Sequence, residues 1–133
     1  MSDNGVFLDT NTLLYLRSGD AAKADVVESL LRLRPIISVQ VLNEFANVSR
    51  KKLSRGWEEI SEALGHIKAI CPVIPVTLEI HERGLALATE HHFSVYDAMI
   101  VAAAESAGCG TLLSEDMQAG RRIGSVTIRN PFA

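Results

Sequence analysis

The 133 residues fit one compact domain, residues 1–133, and leave little room for a second. A hydrophobic fraction of 47% excludes a disordered chain, and with only 5% aromatics the core must be built mainly from Leu, Ile, Val and Ala. The formal charge of −3 argues against a protein that binds polyanions over its whole surface, yet it permits a local basic patch.

Gly5 to Leu8 is a short buried strand, followed by a helical turn or short helix over Thr10 to Arg17. Asp20 caps a helix from about Ala21 to Leu33, which Pro35 ends. Ile36 and Ile37 form a brief strand, and Ser38 caps a helix that runs to about Leu53, with a break at Gly56. Trp57 to Ile70 is amphipathic, with Trp57, Ile60, Leu64, Ile67 and Ile70 on one face. Pro72 stops it. Val73 to Val76 is a strand whose Pro75 predicts an edge position or an early end. Thr77 caps a helix to about His91, and Ser94 opens an Ala-rich helix that closes at Gly108. Thr111 to Leu113 and Val126 to Ile128 are the last strands. Strands alternating with helices predict an α/β fold built on a parallel sheet.

Two cysteines without a CxxC spacing exclude a disulfide framework and a Cys-rich zinc site; Cys71 and Cys109 read as buried or turn thiols. The opening MSDNGVFLD has no basic n-region, and its apolar run is too short for a signal peptide. The longest apolar stretch, Ala98 to Ala104, is well short of a membrane span, so the expected setting is the cytoplasm.

Four carboxylates stand at structure-breaking points. Asp9 and Asp116 follow apolar runs that read as strands, while Glu44 and Asp97 lie near the starts of apolar-faced helices. In an open α/β sheet such groups converge at the carboxyl ends of the strands. Four like charges in one crevice repel unless neutralised, and a hard divalent cation held by oxygens is the usual solution. Each residue also has a plainer reading. Asp9 can cap the helix at Thr10. Glu44, flanked by Val41 and Val48 at helical spacing, can be a solvated edge residue. Asp97 lies three residues after Ser94, a capping-box arrangement, although the apolar helix that follows predicts a start inside the fold. Asp116 and Glu115 can be surface turn residues. Asn11 is placed to hold Asp9 by a hydrogen bond. Arg50, Lys51, Lys52 and Arg55 form the dense positive cluster, either a phosphate path toward the acids or a complement to a helix C-terminus. Arg121 and Arg122 are a smaller pair. His66, His81, His91 and His92 show no ligand spacing.

These acidic segments resemble the PIN-domain ribonucleases, most closely the VapC-type toxins of toxin–antitoxin pairs, over essentially the whole chain. VFLDTNTLLY at Val6–Tyr15 looks like the family's opening strand and first acid, and SVQVLNEF at Ser38–Phe45 like the segment with its glutamate. FSVYDAMIVAAA at Phe93–Ala104 is the most specific match, with Asp97 as third acid. Leu112 to Asp116 looks like the fourth, with Ser114 as the small hydroxyl residue before it, and Asn130-Pro131-Phe132 resembles the ending of many such chains. One departure is Gln118, where many members carry a further acid; Glu115 is the neighbour that could compensate.

The resemblance implies a PIN-like three-layer fold, a central parallel sheet flanked by helices with the acids at its carboxyl edge. It implies endonucleolytic RNA cleavage with Mg²⁺ or Mn²⁺, with Asp9, Asp97 and Asp116 holding the ion and Glu44 as ligand or base. It also implies a second copy of the chain and a small antitoxin, which in this family often pushes a basic residue into the acidic pocket. Two rivals remain: a PIN-like module that binds partners without catalysis, and a phosphatase of the haloacid-dehalogenase type. The phosphatase wants Asp rather than Asn at position 11, and a downstream catalytic lysine.

Overall fold

The computed structural model describes residues 5–133; Met1–Asn4, part of the segment read for a targeting signal, lie outside the described residues. Strand β1 (Gly5–Leu8) leads into α1 (Thr10–Leu14) and a 3-10 turn at Tyr15–Arg17. Then come α2 (Ala21–Leu31), β2 (Ile37–Ser38), α3 (Val39–Lys51), α4 (Trp57–Ile70) and β3 (Val73–Ile74). The chain closes with α5 (Leu78–His91), α6 (Val95–Ser106), β4 (Cys109–Leu113), β5 (Arg122–Ile123) and β6 (Val126–Arg129).

β1 and β4 pair in parallel at the centre, with β6 parallel to β4 and β5 antiparallel to β6. On the other side, Phe7 bridges Ile36, and the Leu8 N–H donates to the Ile36 carbonyl at 3.1 Å. The parallel pair of β2 and β3 is thereby attached to β1. The strands run 3-2-1-4-6-5 across the sheet. From β1 the chain moves one way to β2 and β3, and from β4 the other way to β6. The order therefore reverses between β1 and β4, and in α/β sheets the crevice beyond such a switch point is where ligands bind.

The α/β expectation holds, with the sheet flanked by helices and mostly parallel. β3 is an edge strand that stops before Pro75, since a proline cannot donate to the ladder. β5 was not anticipated: two residues carry no periodicity, and they pair only because Gly124, at φ +58°, turns the chain back onto β6. α2 ends at Leu31 rather than Leu33, because Arg34 takes a left-handed φ of +52° before Pro35. Cys109 begins β4 rather than sitting in a turn, and both cysteines are buried, which holds their thiols up at about 11.

The predicted caps form. Asp20, Ser38, Thr77 and Ser94 each accept a hydrogen bond from the backbone N–H three residues on. Each such cap is worth about 1 kcal/mol. The core is aliphatic, with Phe7, Leu8, Leu112, Ile128 and Ile100 fully or almost fully enclosed. α6 is the central helix: Ala98 through Ala104 are all buried, so its small residues admit neighbours on every side. α5 packs against it through Gly84, where a Cβ would come within 2.6 Å of Met99 Sδ. On α4, Ile60 and Ile67 are buried as expected, but Trp57 stays 59% exposed, its ring covered by the Arg50 guanidinium at 5.1 Å. Among the described residues, no helix is long and apolar enough to cross a membrane.

Candidate active site

Beyond β1 and β4 the backbone stays stitched: the Asp9 N–H donates to the Leu113 carbonyl at 3.0 Å. Asp9 ends β1 and caps α1, its Oδ1 accepting from the Thr10 N–H at 2.7 Å. Ser114, the residue after β4, donates its hydroxyl to Asp9 Oδ2 at 2.8 Å, and Asn11 Nδ2 donates to the same oxygen at 3.2 Å. Three donors fix a carboxylate that is only 5% exposed. A carboxylate has about four acceptor sites, so roughly one remains. The capping role and the site role coexist in one side chain.

Glu44 arrives from the middle of α3, where Oε1 accepts from Thr10 Oγ1 at 2.6 Å. Thr10 thus touches two of the acids, one through its N–H and one through its hydroxyl. Gln40 Nε2 donates to Glu44 Oε2 at 3.5 Å and to the Tyr96 carbonyl at 3.0 Å, joining α3 to the start of α6. There Ser94 Oγ accepts the Asp97 N–H at 3.2 Å, so the serine supplies the cap. The sequence predicts that α6 starts inside the fold, and the structure corrects this. Val95 and Tyr96 are exposed, and full burial begins only at Ala98, because the first turn of the helix lies at the open cleft, where Tyr96 and Asp97 line the wall. Asp97 is half-buried and Asp116 is exposed in the turn after β4.

All four acids line one open cleft of about 600 Å³, with Thr10, Asn11, Gln40, Asn43, Asn47 and Tyr96 among its other walls. No lysine, arginine or histidine is among its lining residues. Burial pushes the Asp9 carboxyl up to about 6; the Ser114 and Thr10 hydrogen bonds oppose this, and the charges of Asp97 and Glu44 add to it. Asp97 is also raised, by burial first and by Asp116 last, against the Ser94 hydroxyl. The site resists carrying its full negative charge.

Glu115 does not compensate for Gln118. Its carboxylate turns to Lys23 Nζ at 2.5 Å and to the Tyr15 hydroxyl at 2.5 Å, while Gln118 is exposed. The basic cluster divides as well. Arg55 donates to the Arg17 carbonyl at 2.8 Å, and Arg50 donates to the Arg55 carbonyl at 3.2 Å while covering Trp57. Lys51 is exposed and lines none of the cavities. Lys52 alone lines a groove that shares Asn11, Leu14, Val48 and Asp116 with the acidic cleft. Sequence reasoning missed Thr10, Gln40, Asn43 and Asn47. The signal was present: Gln40, Asn43, Glu44 and Asn47 follow the spacing of one helical face, opposite buried Val41, Phe45 and Ser49.

The donor chemistry fits a hard divalent ion: an all-oxygen set, with Asp9 oriented by three hydrogen bonds and raised chiefly by burial, with a smaller push from the charges of Asp97 and Glu44. Among the described residues, no three acid, imidazole or thiol side chains draw together into a ready-made metal cluster. An open arrangement of this kind suits Mg²⁺, which keeps several waters and uses few carboxylates.

The fold and the cleft together define an α/β domain with a cleft lined by four carboxylates at the switch point of its sheet. The PIN domain family model matches residues 6–122, and the chain belongs to that family. None of the curated proteins matches it in sequence. Among solved structures, its fold is similar to that of a DNA-bound VapBC from Salmonella typhimurium, at 20% identity and a TM-score of 0.75, over 97% of this chain and 99% of that one. A toxin–antitoxin complex from Klebsiella pneumoniae matches at 21% identity and a TM-score of 0.72, over 96% and 98%. A sarcin–ricin loop cleaving VapC toxin of Mycobacterium tuberculosis matches at 19% identity and a TM-score of 0.66, over 81% and 87%.

Proposed function

We propose that this chain is a metal-dependent endoribonuclease, the toxin of a type II toxin–antitoxin pair, acting in the cytoplasm with Mg²⁺ or Mn²⁺. Its partners are a cognate antitoxin and a second copy of the chain. The observation that carries this reading is the meeting of Asp9, Glu44, Asp97 and Asp116 in one cleft without a lining cation. Membership of the PIN family supports it. So does likeness to structures described as toxin–antitoxin complexes and as a toxin that cleaves an RNA loop.

Asp9, Asp97 and Asp116 would hold the ion, with Glu44 as a further ligand or as the base. Held by these residues, a divalent ion would supply a lowered pKa for water and charge compensation at the scissile phosphate. The protein's own part is orientation. Ser114, Asn11 and the Thr10 N–H fix Asp9, and the Thr10 hydroxyl fixes Glu44 Oε1. Glu44 Oε2, held only by the long contact from Gln40, is the oxygen suited to take the proton of the attacking water. Water displaces the 3′ oxygen, leaving a 5′-phosphate and a 3′-hydroxyl. The phosphatase reading lacks its parts, since position 11 is Asn and no lysine lines the cleft.

The test is cleavage of structured and unstructured RNA by antitoxin-free protein, in Mg²⁺ or Mn²⁺ against EDTA, with Asp97→Asn alongside. Metal-dependent cutting that the variant lacks is the expected result. Products ending in 2′,3′-cyclic phosphate would overturn attack by water. Tight Mn²⁺ binding without hydrolysis of RNA or of a small phosphate ester would favour the binding module.

A further inference from the structure

One wall of the cleft takes no part in the hydrolysis just described. Tyr96 stands beside Asp97 and lines the cleft, yet its side chain is 67% exposed, and among the described residues its hydroxyl has no hydrogen-bond partner. Helix α3 supplies Asn43 and Asn47, one turn apart, both exposed and both lining the same cleft. Neither carboxamide is hydrogen-bonded to another described residue, whereas the Gln40 amide nitrogen donates to Glu44 and to the Tyr96 carbonyl.

These side chains suit bases better than phosphates. An exposed ring gains by stacking a flat partner, and a carboxamide offers a donor and an acceptor together, as the edge of a nucleobase does. Apart from the one phosphate at the ion, the acids offer the backbone no attraction, and two of the nearby arginines, Arg50 and Arg55, are bound to carbonyls of this chain. Affinity for a strand therefore has to come in good part from its bases. A base already paired in a duplex has its faces stacked and its pairing edge occupied, so the wall fits an unpaired one.

We infer that Tyr96 stacks an unpaired nucleobase of the RNA next to the scissile phosphate, and that Asn43 and Asn47 read the edge of that base. This rests on the nuclease reading for the position of the cut. Gln40 is a positioning residue that holds the Tyr96 backbone in register with Glu44 through its two hydrogen bonds.

The experiment uses RNA octamers carrying one 2-aminopurine, mixed with full-length protein and Mg²⁺ in a stopped-flow instrument. Quenching of the base analogue reports stacking, and cleavage is followed in the same samples. Wild-type protein quenches single strands and spares the same octamer held in a duplex. Tyr96→Ala loses the quenching and raises KM roughly 5- to 150-fold, the range of one base–aromatic stack, with kcat little changed. Tyr96→Phe keeps both. The double variant Asn43→Ala, Asn47→Ala still quenches but cuts the four base contexts with nearly equal KM. Cutting with unchanged KM and quenching in Tyr96→Ala overturns this inference and leaves the nuclease standing. Tyr96-dependent quenching without cutting by wild type does the reverse. Unchanged RNA behaviour with weakened antitoxin binding would assign the ring to a protein contact and overturn the base-reading role.

Discussion

Two neighbouring carboxylates in the turn after β4 meet opposite surroundings. Glu115 is clasped by Lys23 and the Tyr15 hydroxyl, and that lysine also lies over the Tyr15 ring at 4.6 Å and the Phe132 ring at 5.1 Å. Asp116, one residue on, shares the acidic cleft with three other acids and forms no ion pair among the described residues, Lys52 lining only the adjoining groove. Lys23 holds the Glu115 carboxyl below its usual range, while burial and repulsion push Asp9 up to about 6. Within a single turn the chain neutralises one acid with its own lysine and leaves the next without any. The charge of the cleft is therefore a local property of the site, and the net charge of −3 says little about it.

The largest expected effect comes from removing one cleft acid while keeping its shape. Asp97→Asn should lower kcat on the order of 10²–10³-fold or more, and leave the Ser94 cap and the far-ultraviolet spectrum intact. Activity retained in that variant would remove Asp97 from the site.

Asp9 gives the second test, because its sign is opposite to that of Glu115. Its folded value of about 6 lies above the ordinary 3.8, so the folded state binds the proton more tightly. Metal-free protein should then lose stability as pH rises from about 4 to about 6, with a ceiling of about 3 kcal/mol. Asp9→Asn should flatten that slope and be the more stable protein at pH 7 in EDTA, by about 1–3 kcal/mol. Urea denaturation at pH 4.5 and 7.5 reads both. Adding Mn²⁺ should raise the Tm of wild type more at pH 7.5 than at pH 5, and much less in the variant. A wild-type profile flat in pH would contradict the strained state of Asp9.

Lys23→Met turns Glu115 into the same kind of uncompensated acid as its neighbour. We expect a lower Tm and a few-fold loss of kcat, because the turn carrying Asp116 loses its anchor; Glu115→Gln in the same chain should restore part of both. The smallest effects distinguish the basic residues. Lys52→Ala should weaken RNA binding a few-fold and reduce its salt dependence by about one phosphate contact. Arg55→Lys should leave binding unchanged and lower stability, since its partners are the Arg17 carbonyl and Glu59.

The same contrast separates what was legible in the sequence from what was not. β1 and β4 read clearly as apolar runs ending in Asp9 and Ser114, and four helix starts were marked by side-chain caps. Asp9, Asp97 and Asp116 were legible because each stands where an element begins or ends, and Glu44 only through its likeness to a family segment, since it lies in the middle of α3. The clasp on Glu115 was not, since Lys23 is 92 residues away and no local pattern couples them. Thr10 reads as an ordinary first helical residue until α3 is laid against α1. Asn43 and Asn47 acquire meaning only once that packing buries the Val41 face and leaves theirs lining the cleft. Arg50 and Arg55 looked like a phosphate track because charge is visible in sequence and carbonyl partners are not.

The bond from Ser114 to Asp9 spans 105 positions of the chain. During synthesis, everything through α6 can leave the ribosome while Asp9 still lacks β4, Ser114 and Asp116. The proposed centre is therefore completed only after β4 has been made, when a central parallel strand inserts between β1 and what becomes β6. A message broken before the codons for Leu112 to Asp116 would yield a fragment without Ser114 and Asp116, so for a protein proposed to destroy RNA, topology itself delays the first cut until β4 has been made.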